Sequence, residues 1–78
     1  MCLFINKKEF DEIIKKVVPE DTIINHDSYG CIYFKNRKNN SVNERKIFEK
    51  IAKYLDLFEV TSIHIDDFNK PGVWICFK

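Results

Sequence analysis

Three groups of residues have side chains whose types could do chemistry. His26, Asp27 and Ser28 are consecutive, His64 precedes Asp66 and Asp67, and Cys2, Cys31 and Cys76 supply three thiols. Ser, His and Asp suggest nucleophilic catalysis, but adjacent side chains in an extended turn diverge, and the base of such a triad is oriented by groups from elsewhere in the fold. With Gly30 close behind, Asp27 and Ser28 read more simply as turn formers. The two histidines and their aspartates could ligate a metal across two hairpins, yet hairpin loops favour Asp for its turn chemistry and nothing in the spacing demands an ion. The reading is no metal and no cofactor.

The cysteines are odd in number and form no Cys-x-x-Cys pair, which indicates neither a disulfide framework nor a zinc knuckle. Reduced thiols are expected. Cys31 and Cys76 fall in strand-like segments without a neighbouring base or helix N-terminus to activate them, so they read as small hydrophobes. The chain has no Gly-rich phosphate loop and no His-Glu-x-x-His. A non-enzymatic protein is the expectation.

Two helices must position whatever the chain does. Phe10, Ile13, Ile14, Val17 and Val18 recur at the spacing of one buried helical face, as do Ile47, Phe48, Ile51, Ala52, Leu55 and Phe58. Asn6 with Glu9 and Ser41 with Glu44 have capping-box spacing, and Ile5 with Phe10 has that of a hydrophobic staple. Pro19 ends the first helix. Asp11 with Lys15, Glu12 with Lys16 and Glu49 with Lys53 suggest solvated, salt-paired outer faces.

Each helix is followed by two strand-like segments joined by turn residues: 22–25 and 31–35, then 61–65 and 73–78. Ile32-Tyr33-Phe34-Lys35 overlays Ile75-Cys76-Phe77-Lys78, pointing to an internal duplication of units about 6–35 and 41–78 within one domain, 1–78. The α-β-β-α-β-β order predicts an α+β two-layer sandwich, with a four-stranded antiparallel sheet and two helices on one face. The second and fourth strands are apolar on both sides and are expected side by side at the centre, giving order 1-2-4-3. Residues 2–5 could add an edge strand.

Alternation aims Ile32, Phe34, Ile63, Ile65, Val73, Ile75 and Phe77 at the helices. Cys31, Tyr33, Lys35, Trp74, Cys76 and Lys78, with His64 at the margin, then point away as an open aromatic face. Cys31 is expected beside Trp74, and Tyr33 beside Cys76. Exposed Trp and Tyr rimmed by lysine is an interface composition, unless Leu3 and Phe4, or Tyr29 and Phe68, fold over it.

The one local charge excess runs through Lys35, Arg37 and Lys38 to Arg45 and Lys46 at the second helix start, where phosphate or an acidic protein surface could be held. A net charge of +1 argues against a protein that coats nucleic acid. No apolar run reaches the roughly 20 residues of a membrane helix, and residues 1–5 are too short for a signal-peptide core. Heavy use of Lys, Ile and Asn suggests an A/T-rich bacterial, phage or plasmid genome, hence the cytoplasm of a bacterial host.

The expected function is a small binding protein that occupies a surface of a larger macromolecule, its partner a protein. A phage- or plasmid-encoded inhibitor of bacterial defence machinery, of the anti-CRISPR kind, is a specific form. The alternatives are nucleic-acid binding through the basic loop and the Tyr33/Trp74 face, and a homo-oligomeric subunit joined through that face.

Overall fold

The structure is a computed structural model and describes residues 1–36, 43–66 and 71–78. In chain order the elements are β1 (Cys2–Asn6), α1 (Lys7–Val17), β2 (Thr22–His26), β3 (Ile32–Asn36), α2 (Glu44–Tyr54), β4 (Val60–Asp66) and β5 (Gly72–Phe77). The four strands expected from the sequence are thus β2 to β5.

Local chemistry sets both helices. The Glu9 amide donates to Asn6 Oδ1 at 2.8 Å, capping α1, and Val18 turns to extended geometry (φ −105°, ψ 135°) as the residue before Pro19 must. Helix α2 is capped by Asn43, whose Oδ1 accepts from the Lys46 amide at 3.3 Å, so Glu44 is the first helical residue and not the third of a Ser41 box. Asn caps as well as Ser. Ser41 lies outside the described residues.

At the other end of α2 the chain reverses through Asp56, in the left-handed region at φ 57°. The Leu57 amide donates to Ala52 O at 2.8 Å and the Asp56 amide to Lys53 O at 3.3 Å, the bonding pattern of a Schellman motif. This reversal takes Phe58 off the helical stripe on which its spacing placed it, and it is 86% exposed. Periodicity cannot extend past the residue that breaks the period.

The strands form two sheets, β1-β5-β4 and β2-β3, all neighbours antiparallel. They touch through a bridge between Cys31 and His64, beside which the Ile65 amide donates to Gly30 O at 2.9 Å. The expected single sheet of order 1-2-4-3 is therefore incorrect. Strand β5 does take two neighbours, as its two apolar sides required, but they are β4 and the N-terminal β1. With β1 paired along β5 from Cys2↔Cys76 to Asn6↔Gly72, no edge remains for β3. The expected neighbours Cys31 with Trp74 and Tyr33 with Cys76 are consequently apart.

One core fills the space between strands and helices: Phe10 and Ile13 from α1, Ile47, Ile51 and Ala52 from α2, and Ile5, Ile32, Phe34, Val60, Ile63, Val73 and Ile75 from the strands. Ile65 packs partly buried against it, and Phe77 is half-buried. The face of the sheets opposite the helices is left without a second layer among the described residues. Lys16 turns towards α2, its ammonium donating to the Tyr54 hydroxyl at 3.3 Å and lying 5.3 Å from that ring's centroid.

Candidate binding face

Side chains on a strand alternate, so the register fixes which residues share the outer face. From β1 come Cys2 and Phe4; opposite them on β5 stand Cys76 and Trp74; opposite those on β4 stand Ser62 and His64. The bridge from His64 to Cys31 carries the face to β3, where Tyr33 and Lys35 continue it, and to β2, where Ile23 and Asn25 pair with them.

The centre of this face is aromatic. Phe4 and Trp74 meet edge to face with centroids 5.3 Å apart, and Trp74 keeps 41% of its surface exposed. Ser62 Oγ and His64 Nε2 share a hydrogen bond at 3.0 Å, which holds the imidazole against the strand. Further out, the Lys35 ammonium lies 5.6 Å from the Tyr33 ring centroid. A cation over a ring at this distance is attracted by the ring's negative face.

Phe4 neither covers Trp74 nor leaves the sheet, but lies beside it as part of the same surface. Leu3 belongs to the opposite face, and Tyr29 is 91% exposed at the tip of its turn, clear of the patch. That turn is built as its composition implied: Asp27 Oδ1 accepts from the Tyr29 amide at 2.9 Å and the Cys31 amide at 3.0 Å, and Gly30 takes φ 84°. The His26 ring contacts Asp27 O at 3.1 Å, so both residues serve the turn.

The other expected contact residues are dispersed. The Lys78 ammonium is 3.4 Å from the Glu59 carboxylate. Arg45 and Lys46 are exposed on α2, and Arg45 lines a groove of about 860 Å³ between α2 and the start of β4, with Phe48, Lys53, Leu57, Phe58 and Thr61 among its walls. Neither Ser62 nor His64 lines it. Arg37, Lys38, Asp67 and Phe68 lie outside the described residues. Among the described residues no group of three His, Cys, Asp or Glu side chains could hold a metal ion, and no helix is long and apolar enough to cross a membrane.

Cys2 and Cys76 form a disulfide, against the expectation of reduced thiols, while Cys31 is free and half-buried. The two cysteines lie 74 residues apart. Short cysteine spacings carry no sign of this pair, because strand pairing of β1 with β5 is what joins it. Ser62 was missed although alternation from His64 marks its side, and Phe4, expected only as a possible cover, takes its place on the face through register. No family model, curated protein or solved structure matches the chain.

Proposed function

We propose that this chain is a small non-enzymatic protein that binds a protein partner through the outer face of its sheets and acts by occupying that partner's surface. The observation that carries the reading is the Phe4–Trp74 pair: an edge-to-face aromatic centre, partly exposed, on a sheet face that neither helix covers. His64, Tyr33 and Lys35 surround it with groups that donate and accept hydrogen bonds. Large rigid rings at the centre with polar groups at the rim is the arrangement in which interface energy concentrates. The proposal extends to a bacterial host's cytoplasm as the site of action and, as its specific form, to an inhibitor of host defence machinery carried by a phage or plasmid.

Affinity capture from host extract tests it with two variants of the tagged chain. Trp74→Asp places a charge at the centre of the face; Phe58→Asp places one at a more exposed aromatic outside that face, in the groove between α2 and the start of β4. The expected result is a defined protein retained by wild type and Phe58→Asp and lost with Trp74→Asp. Retention by all three refutes the face. A mobility shift with nucleic acid that weakens steeply with salt would instead assign the chain to nucleic-acid binding.

A further inference from the structure

The bond between Cys2 and Cys76 joins the two ends of the chain across adjacent strands. Met1 and Phe77 exchange both main-chain hydrogen bonds, the Phe77 amide donating to Met1 O at 2.8 Å and the Met1 ammonium to Phe77 O at 3.2 Å. Pairs alternate along an antiparallel ladder, so Cys2↔Cys76 is the next, narrow pair without such bonds, where facing side chains come closest. Its Cα atoms are 4.0 Å apart. Phe4↔Trp74 is the narrow pair after it, on the same outer face.

We propose that Cys2 and Cys76 are a reversible redox clasp that locks the N-terminal strand onto the sheet. Three features carry this. Cys2 is exposed and Cys76 half-buried on a face without a covering layer, so a small thiol or disulfide reaches them. Strand β1 is an edge strand, paired on one side only, so its local opening breaks a single ladder. Its docking also has non-covalent supports that survive reduction: Ile5 in the core, the Phe4–Trp74 contact, and the Lys7 amide donating to Pro71 O at 3.0 Å. Open dithiol and closed disulfide therefore share one fold and differ in how freely β1 leaves it.

The oxidant is a small-molecule disulfide such as oxidised glutathione. The Cys2 thiolate attacks one of its sulfurs and releases one small thiol. The Cys76 thiolate then attacks the Cys2 sulfur of the mixed disulfide and releases the second. Two protein thiols and one small disulfide become one protein disulfide and two small thiols, and excess small thiol reverses both steps. The clasp stands independently of the binding reading, although closing it holds Phe4 beside Trp74.

The test uses the full chain with Cys31→Ser, leaving only the pair. Samples started fully reduced and fully oxidised are equilibrated in glutathione buffers of varying ratio, quenched with N-ethylmaleimide and weighed intact. The expected result is one titration curve reached from both directions, with β1 amides exchanging at least about ten-fold more slowly in the closed form. A Cys2→Ser variant is expected to fold and to exchange like the reduced chain. A pair that stays reduced in excess oxidised glutathione, stays closed in excess reduced glutathione, or links separate chains overturns the clasp. An unfolded Cys2→Ser chain does so as well.

Discussion

Gly72→Ala is the sharpest probe of how β1 is seated. A Cβ at Gly72 would stand 2.5 Å from Ile5 O and 2.5 Å from the Phe4 ring, distances at which something must move. The ring has some freedom, but Ile5 O is backbone of a strand paired on both sides of that point. Shifting β1 enough to admit a methyl group weakens one or two main-chain hydrogen bonds, each contributing about 1 kcal/mol, and the Phe4–Trp74 contact, also worth about 1 kcal/mol. The reduced freedom of the unfolded chain returns roughly 0.5 kcal/mol. A net loss of about 2 kcal/mol is expected, which for a domain of this size lowers the melting midpoint by about 8 to 16 °C. The assay is thermal unfolding by circular dichroism in reducing buffer, so that the disulfide does not hold β1 in place. Phe4→Ala with Gly72→Ala should recover little, because the carbonyl remains in the way. A Gly72→Ala midpoint within about 2 °C of wild type would refute the seating of β1 on β5.

Ile51 is fully buried at the centre of the α2 face, and Ile51→Ala should cost about 2 to 5 kcal/mol in urea unfolding. The Asn6 cap should contribute about 1 kcal/mol, lost in Asn6→Ala and largely retained in Asn6→Ser in the same assay. Phe58→Ser should change stability by no more than about 0.5 kcal/mol, despite a spacing that assigns Phe58 to the buried stripe, and a larger loss in chemical denaturation would show that the reversal at Asp56 is misplaced.

Much of the local structure was legible in the residues. The Asn6 cap, the stop before Pro19, the Asp27–Gly30 turn and the inward set Ile32, Phe34, Ile63, Val73 and Ile75 all depend on interactions within a few residues or on strict alternation, and each stands as read. The outward group was legible as a set of side chains on one side of their strands, but not as a spatial cluster. Pairing Tyr33 with Cys76 assumed that similar strands lie side by side, and hydrophobic strands carry no label of their neighbour.

The chain alone thus determined two amphipathic helices, four of the strands and, for β3, β4 and β5, the side that faces the core, because periodicity and capping are short-range. Tertiary structure decided strand order, since it turns on which strand pairs with each edge of β5. Strand β1, Cys2–Asn6, took one of those edges. That choice brought Phe4 to Trp74 and Cys2 to Cys76 across nearly the whole length of the chain, and no local spacing encodes a contact between ends that only a sheet brings together.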